Sequence, residues 1–243
     1  MTGQYNYLGN LGSPRLSRLF FDRRDASQFF FTDPYDLTVL RPEDIIFTNT
    51  LSPFTNLSYY KTFDSRNGEE RFKSYFAINA NKRFGVGFYI DYLYGRGLYA
   101  SQSTAFFNGG LFASYRGDKY NMHFIFNNDN LKMAENGGIA DDRYITNPLD
   151  MAEGKKEYKS YDIPTNLNKV WNHNTSYHVF MTQRYNLGFH KEKTDSVTKD
   201  SVRIIQEFVP VTSFIHTLQV DLNGRKYISY DDEQNQKYFE HNY

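Results

Sequence analysis

The chain contains no cysteine in its 243 residues, and this absence excludes disulfide bonds and thiolate metal sites. It has no excess charge of either sign, since 28 basic residues balance 28 acidic ones. A neutral chain gives no support for nucleic acid or for an anionic membrane surface as a partner. The sequence also lacks any apolar run near the roughly 20 residues that a membrane-spanning helix needs.

An export signal is missing from the start of the sequence. The first ten residues, MTGQYNYLGN, contain neither the basic n-region nor the apolar h-region that a secretory signal requires. We therefore expect that either the protein is not exported or its true start lies upstream of this sequence.

Motifs for catalysis and for ligand binding are lacking too. The six histidines stand in no HExxH or other metal-ligand spacing, and no GxSxG nucleophile elbow occurs. GVG at 85–87 and GRG at 95–97 are not followed by a helical pattern, so a phosphate cradle is not expected. Oxygen ligands for Ca²⁺ occur at 127–130 and 141–142, but without an EF-hand spacing we interpret both as solvated loops. We predict no enzymatic activity, no metal site and no cofactor.

What the sequence has in plenty is aromatic side chains. Phe and Tyr number 22 and 21 against a single Trp, and yet the mean hydropathy is −0.68. A chain that is both aromatic and hydrophilic must separate the two characters over short distances. Alternation along β-strands achieves this separation, because successive side chains of a strand point to opposite faces.

The run RFGVGFYIDYLY at 83–94 shows this alternation most clearly. Its even positions are all large and apolar or aromatic, whereas its odd positions are small or mixed and include Asp91. We predict that the even face meets lipid and that the odd face meets the interior of a barrel. With four residues from 119–128, the predicted lipid-facing set is Phe84, Val86, Phe88, Ile90, Tyr92, Tyr94, Tyr120, Met122, Phe124 and Phe126.

About seven strands and no convincing helix are predicted. The strands lie near 55–62, 69–80, 83–94, 104–116, 119–128, 174–189 and 208–222. Strands of soluble proteins usually have about 5–6 residues, whereas about 9–11 tilted residues cross a bilayer. Residues 1–50 show no sustained period apart from a short strand near 45–50. We expect this irregular N-terminal segment to pack at or in a barrel portion formed by residues 51–243.

The connectors between the predicted strands alternate in length. Those after 80 and 116 are tight turns, whereas the polar stretch at 129–168 is very long. Short turns at one end and long loops at the other are typical of outer-membrane barrels, so we predict that the 129–168 loop is extracellular. A further connector is expected at 191–201, and the polar tail from 223 is expected to be a loop.

Five charged residues are predicted to face away from lipid, namely Arg71, Lys73, Asp91, Lys119 and Arg184. An Arg or Lys on the lipid face at mid-membrane costs about 2–4 kcal/mol, so we expect these side chains to point into the lumen. Rings of such charges set the ion preference of pores. Alternatively, they form ion pairs or hydrogen bonds that hold a filled lumen, and the sequence leaves both roles open.

Several longer segments resemble a known family. They are YLGNLGSPR at 7–15, FFDR at 20–23, FTDPYD at 31–36, DYLYGRGLY at 91–99, ENGGIADDRYITNP at 135–148, RYNLGF at 184–189 and EFVPVTSFIHT at 207–217. In this order they closely resemble the "putative porin" family of Bacteroidota-type outer membranes, over most of 7–220.

The resemblance implies an exported outer-membrane β-barrel that contacts outer-membrane lipid and allows passive passage of small solutes. Members of the family are much longer than this chain, which therefore resembles a part of a barrel. We expect an all-β fold in which long strands form an open antiparallel meander, and we expect a pore to need further C-terminal strands.

Two other functions stay open on the sequence. One is a non-conducting outer-membrane component that binds or assembles with envelope proteins, and the irregular 1–50 segment and the 129–168 loop favour it. The other is a soluble all-β binding domain, because a β-sandwich also alternates apolar and polar residues along its strands.

Overall fold

The computed structural model describes residues 4–7, 9–23, 25–63, 68–152, 154, 159–198, 201–230 and 233–242. The strands in these residues are β1 (Tyr5–Tyr7), β2 (Arg15–Ser17), β3 (Phe54–Lys61), β4 (Glu69–Asn79), β5 (Phe84–Arg96), β6 (Ser103–Arg116), β7 (Tyr120–Glu135), β8 (Val170–Thr198) and β9 (Ser201–Ser229). The α-helices are α1 (Arg143–Thr146), α2 (Pro148–Met151) and α3 (Glu233–Asn242). Short 3₁₀ turns occur at Phe20–Asp22, Phe30–Tyr35, Pro42–Asp44 and Ser160–Asp162.

Strands β3 to β9 form one antiparallel sheet in which each strand pairs with its neighbours in sequence. The connectors at 80–83 and 117–119 are too short for anything but a hairpin, so the meander order follows from them. β3 and β9 are the edges, and no pairing joins them in the described part of the chain. The prediction of an all-β, open antiparallel meander is therefore confirmed.

Strand β7 is longer than the sequence suggested. It ends at Glu135, so the expected loop start at 129 is wrong and the connector to β8 spans 136–169. The polar residues at 127–130 misled the prediction because their polarity was interpreted as exposure to solvent. In the structure Asn127 and Asp129 are buried, and the backbone around them pairs with both β6 and β8.

Strands β8 and β9 continue beyond the rest of the sheet as a two-stranded ribbon. β8 pairs with β7 only as far as Tyr185, whereas its pairing with β9 continues to Thr198. The connector expected at 191–201 is therefore wrong, and so is the loop expected directly after 223, where β9 continues to Ser229. About twelve further residues per strand, at roughly 3.3 Å each, make a ribbon on the order of 40 Å long.

Pro210 lies inside β9 without ending it. The residue stands opposite Gly188, at a bulge where the register between β8 and β9 shifts. Proline cannot donate to a ladder and is tolerated in strands at edges and bulges, and β9 is an edge strand that provides both conditions. A side chain at position 188 would collide with the carbonyl oxygen of Val209, so glycine is required there.

Residues 9–23 and 25–50, here called the covering segment, lie against one face of the sheet. We call this the covered face and the opposite one the uncovered face. The short strand expected near 45–50 is wrong. Instead, the Tyr75 hydroxyl donates to the Ile46 carbonyl at 2.6 Å, and the Asn79 amide donates to the Thr50 carbonyl at 2.9 Å. Side chains of β4 thus donate to carbonyl groups of residues 46–50, which in a β-strand would accept from the backbone of a neighbouring strand.

Two apolar clusters hold the covering segment on the sheet. The first places Ile45 among four buried residues of β4 to β7, and Leu40 and Phe47 pack beside it. These four residues are Ala77, Tyr89, Phe112 and Ile125. Since burial of a large apolar side chain contributes about 1.5–3 kcal/mol, these contacts alone give the segment a substantial hold.

The second cluster is centred on Tyr35. It packs against Leu93, Phe106 and Leu131, and its ring meets Phe106 edge-on with centroids 5.5 Å apart. Burial raises the pKa of Tyr35 to about 12, and the charge of Glu135 adds to this effect. The phenol is therefore neutral under ordinary conditions and acts as an apolar anchor with a polar tip.

The covering segment is also tied within itself. Arg15 donates two hydrogen bonds to the carboxylate of Asp36, at 2.6 and 2.7 Å, and both side chains are mostly buried. These hydrogen bonds raise the pKa of Arg15 above its ordinary value. A bidentate pair of this kind fixes orientation as well as distance, so it joins the beginning of the segment to its middle.

The connector 136–169 packs against α3, a helix that the sequence did not predict. Asn235 is the buried residue of this helix; its amide donates to the Asn168 carbonyl at 2.8 Å, and its side-chain oxygen accepts from the Asn168 N–H at 3.0 Å. The sequence of α3, EQNQKYFEHN, has no apolar stripe at helical spacing. Its position depends on polar contacts, which explains why a search for periodicity missed it.

We predict that Gly12→Ala loosens the covering segment. Gly12 has a φ of +78°, and a Cβ there would lie 2.7 Å from Leu93 Cδ2 and 2.9 Å from Phe106 Cε2. Strain of about 1–3 kcal/mol is expected from the backbone alone, and the collision adds to it. Tryptic cleavage after the mostly buried Arg15 should be about tenfold faster than in the wild type, because cleavage follows the population of the open form.

Gly9→Ala is the matched control for this substitution. Gly9 has a φ of +93°, but a Cβ there would meet nothing within 4 Å. The control therefore carries the backbone strain without the collision. Equal cleavage rates for the two variants would show that the contact of Gly12 with the sheet does not hold the segment.

Candidate functional site

The two faces of the sheet differ sharply in chemistry. On β5 the odd positions, such as Tyr89 and Leu93, are buried under the covering segment, and the even positions are more exposed. The register carries this division across the sheet: Phe84 is opposite Tyr115, which is opposite Met122. All ten residues predicted to face lipid therefore lie together on the uncovered face. That this face meets lipid stays a prediction.

Three of the five residues predicted to face the lumen form one ion-paired group on the covered face. Arg71 donates to both carboxylate oxygens of Asp91 at 2.9 and 2.7 Å, and the Lys73 ammonium lies 3.6 Å from the same carboxylate. Asp91 is mostly buried, whereas Lys73 is half exposed. This group is a paired cluster rather than a ring of free charges.

The other two lie elsewhere. Arg184 is on the covered face of β8, close to the short-turn end of the sheet, and its side chain is exposed. No described carboxylate lies within ion-pair distance of it. Lys119 is in the turn between β6 and β7, outside the strands, and so it belongs to neither face. The sequence reasoning extended the strand alternation one residue too far at Lys119.

A polar row crosses the covered face from strand to strand. Each member is the register partner of the next: Lys73, Asp91, Asn108, Asp129, Ser176 and Asn223. The middle of this row is the most buried polar region of the sheet, with Asp129 only 1% exposed. Polar side chains in such a place need hydrogen-bond partners, because an unpaired buried polar group costs about 1–3 kcal/mol.

The asparagines of this region find those partners in the covering segment. The side-chain amide of Asn108 donates to the Thr38 carbonyl at 2.6 Å, and that of Asn127 donates to the Leu40 carbonyl at 3.1 Å. Asn174 donates in the same way to the carbonyl of Phe31, at 3.4 Å. Three neighbouring strands thus bind the backbone of the irregular segment through one side-chain type.

His178 joins the polar row to the outer strand. Its Nδ1 lies 2.6 Å from the carboxylate of Asp221, and its Nε2 lies 3.7 Å from that of Asp129. A protonated imidazole can donate from both nitrogens, and a neutral one from only one of them. When the ring is neutral, the shorter contact therefore indicates that Nδ1 carries the proton and donates it to the Asp221 carboxylate.

A cavity of about 380 Å³ lies between the covering segment and the beginning of the sheet. Its wall includes Gly12, Tyr35 and Leu93, and Glu69 and Arg71 are among its polar residues. Both of these are already engaged, since Glu69 accepts from the Leu11 N–H at 2.8 Å and Arg71 is paired with Asp91. Ser13 also lines the cavity, and its buried hydroxyl has no hydrogen-bond partner among the described residues.

Sequence reasoning missed the buried centre of the covered face. Asn108 and Asn174 were not among the candidate residues, and Asn127 and Asp129 were interpreted as part of a solvated loop. A signal was present, because each of them falls on the same side as Asp91 when strand alternation is carried across the hairpins. Their burial could not be found this way, since it depends on a segment that has no period of its own.

No described helix is both long enough and apolar enough to cross a membrane.

Comparison with known families gives one match. A family model described as "Putative porin" matches residues 1–243, which is the whole chain. Comparisons with curated proteins and with solved structures gave no significant match. The family match agrees with the resemblance of the segments between 7 and 220, and the chain belongs to this "Putative porin" family.

Proposed function

We propose that this chain forms part of an outer-membrane β-barrel that passes small solutes passively. The observation that supports the proposal is the difference between the two faces of one antiparallel sheet. The uncovered face is apolar and aromatic over most of its height, whereas the covered face combines apolar clusters with an ion pair and a buried polar row. A barrel wall in a membrane needs this division, because lipid meets one side of every strand and the lumen meets the other. Membership of the porin family supports the same conclusion.

The length of the apolar band on the uncovered face supports the proposal that this face contacts a lipid bilayer. On β5 the band runs without a charge from Phe84 to Tyr94. These eleven residues span about 34 Å along the strand, or roughly 25 Å for a strand tilted by about 40°. That height agrees with the apolar belt of about 25 Å that outer-membrane barrels present to lipid.

A charged row marks one end of the apolar band. Four register-aligned residues on the uncovered face share this row, at the end of the sheet that carries the long connector: Glu70, Lys132, His173 and Lys226. The Lys132 ammonium lies 4.2 Å from the ring centroid of Trp171, the single Trp of the chain. Lys and Trp together are typical of the level where lipid headgroups begin.

The two sheet edges imply that the functional barrel has further strands. β3 and β9 have unpaired edges in the described residues, and lipid cannot satisfy free backbone N–H and C=O groups. Single-chain bacterial barrels have an even number of strands from about eight upwards. We propose that further strands pair with both edges and close the barrel.

A second candidate function is a non-conducting outer-membrane component that binds or assembles with envelope partners. The observation that favours it is the covering segment, which buries the centre of the covered face at Asn108 and Asp129. A lumen filled over its whole width would conduct nothing. In this sheet the covering segment reaches β9 at Arg225, whose guanidinium lies 4.3 Å from the ring centroid of Phe31. The other described side chains of β9 are exposed or half-exposed, so we propose that a solute path runs over the rest of β9.

We predict that the uncovered face is quenched by lipid. The chain has no cysteine, so single-cysteine variants carry one fluorescent label each. A label at Leu111→Cys, on the uncovered face, should lose most of its fluorescence in bilayers of brominated lipid. The matched label at Arg184→Cys, exposed on the covered face, should be unaffected. Equal quenching at both positions, or partition of the protein into water rather than detergent, would favour a soluble all-β domain.

We predict that the 136–169 connector is extracellular. Leu149 of α2 is 87% exposed, so Leu149→Cys should react with a membrane-impermeant maleimide on intact cells. Asp118→Cys, in the tight turn at the other end of the sheet, should react only after the outer membrane is ruptured. The opposite pattern would show that the barrel is inserted with its short turns outwards.

We predict that residues 1–243 alone give no reproducible channels in planar bilayers, whereas the barrel closed by further strands conducts. In the closed barrel, Arg184→Glu should lower the permeability of anions relative to cations, because an unpaired charge on the lumen wall biases ion passage. The reversal potential in a salt gradient measures this change. Lys119→Glu makes the same change of charge in a turn outside the strand faces and should have a much smaller effect.

Two results would contradict the pore proposal or its geometry. Stable channels from residues 1–243 alone would show that no further strands are needed. A closed barrel without conductance would favour the non-conducting component instead.

A further inference from the structure

Three basic residues stand side by side on the uncovered face, at the end of the sheet that carries the long connector. Lys132, His173 and Lys226 are successive register partners on β7, β8 and β9. Directly opposite side chains on one face have Cβ atoms about 4.5–5.5 Å apart, and like charges in this relation destabilise a sheet. An anion that contacts all three groups would remove this repulsion.

The described part of the chain supplies no carboxylate for these groups. In β3 to β7, and in β8 and β9 where they lie beside these strands, Glu70 is the acidic residue on the uncovered face. Its carboxylate already lies 3.7 Å from the Lys61 ammonium. Glu70 is also three strands away from Lys132, which is roughly 14 Å at about 4.8 Å per strand. No ion pair within the described residues involves Lys132 or Lys226.

Neighbouring side chains orient two of the basic groups. The Lys132 ammonium lies 4.2 Å from the ring centroid of Trp171, which is two residues before His173 on the same face of β8. His173 Nε2 lies 2.8 Å from the side-chain oxygen of Asn130, so Nε2 carries a proton and donates it. The other ring nitrogen, Nδ1, has no hydrogen bond to a described residue and can donate to an anion when the ring is protonated.

Lys226 approaches from the opposite side. Its side chain is exposed, and it stands directly opposite His173 on β9. Because β7 and β9 are two strands apart, Lys132 and Lys226 flank His173 at a backbone separation of roughly 10 Å. The flexible stems of two lysines can span this gap. A phosphate group above the imidazole can therefore contact both ammonium groups.

The level of these residues on the sheet selects a lipid as the source of the anion. The apolar band of the uncovered face ends at this row, and Lys with Trp is typical of the layer where lipid headgroups begin. In the proposed barrel this surface borders on lipid, so a headgroup is the anion that lies beside it. The inference thus rests on the proposed function, because it needs the uncovered face to contact a bilayer.

We propose that Lys132, His173 and Lys226 form a binding site for the phosphate of an anionic lipid headgroup. The two lysines contact the phosphate oxygens from opposite sides, since an ammonium group binds phosphate as a point charge. Trp171 packs against the uncharged part of the headgroup, as an amphipathic ring does at this level. A zwitterionic headgroup carries its own cation beside the phosphate, so the site binds it less tightly.

The test measures lipid quenching in the barrel closed by further strands, reconstituted in phosphatidylcholine bilayers. A fluorescent label is attached at Ile228→Cys, which is partly exposed on the uncovered face and stands opposite Trp171. Brominated phosphatidic acid and brominated phosphatidylcholine are compared at the same small share of the lipid. Phosphatidic acid should quench the label more strongly. Each lysine near an anionic headgroup favours its binding about fivefold, so Lys226→Gln and Lys132→Gln should each lower this preference by about that factor.

Lys61→Gln is the matched control. Lys61 lies on the same face and in the same row, but its charge is already paired with Glu70. Its substitution should leave the preference for phosphatidic acid unchanged. Equal quenching by the two brominated lipids at Ile228→Cys, or an unchanged preference in both Lys226→Gln and Lys132→Gln, would overturn the proposed site.

Two further measurements separate this inference from its alternatives. Brominated phosphatidylcholine should quench a label at Leu111→Cys, and a failure there would contradict the proposed function itself rather than the phosphate site. Inorganic phosphate at millimolar concentration should leave the quenching by phosphatidic acid unchanged. Displacement by inorganic phosphate would overturn the lipid as the ligand and assign the site to a free anion.

Discussion

The hydrogen bonds between sheet asparagines and the backbone of the covering segment are the interaction on which the rest of this structure depends. An irregular segment has no ladder to satisfy its carbonyls, and it cannot be buried until something else does. Asn108, Asn127 and Asn174 perform this role from three adjacent strands. Only with these bonds in place can Ile45 and Tyr35 bring their apolar contacts to the sheet.

In the proposed barrel, the covering segment would change the inner wall. In a barrel whose inner wall is polar and bare, the inward side chains meet water and need no protein partner. In this sheet the covered face over β4 to β7 is instead packed with aromatic rings and buried amides, as in the interior of a soluble protein. β8 is covered only in part, and β9 is exposed or half-exposed throughout its described side chains. The covering segment contacts β9 at Arg225, which lies 4.3 Å from the ring centroid of Phe31.

The meander, the two faces and the tight turns were predictable from the sequence, because each depends on local rules. Alternation at 83–94 fixes the faces of β5, and the hairpin at 80–83 carries the same phase to β4. The hairpin at 117–119 relates the faces of β6 and β7 in the same way. The ends of β7, β8 and β9 were not predictable in this way. Their terminal residues do not alternate cleanly between apolar and polar. They form strands because a neighbouring strand is available for pairing.

The candidate site shows the same division between local and non-local causes. Arg71, Lys73 and Asp91 could be assigned to one face from spacing alone, but their pairing into one cluster depends on the register of β4 with β5. Asn127 and Asp129 were interpreted as a loop because a polar run usually meets water. Asn127 and Asp129 are buried by the covering segment, and the sequence of 127–130 alone does not indicate that this segment packs there.

The covering segment also explains why the apolar band faces away from it. Strands that are buried on both faces have nearly continuous apolar sequences. The strands of this sheet alternate instead, so the two faces have different surroundings. The covered face is polar at its centre and yet dry, and the uncovered face is apolar and yet unpartnered by any described part of the chain. In water the uncovered face would expose Leu111, Tyr177 and Phe107 in one patch. An exposed apolar surface of that size usually marks an interaction site, and in the proposed function a bilayer is the neighbour that covers it.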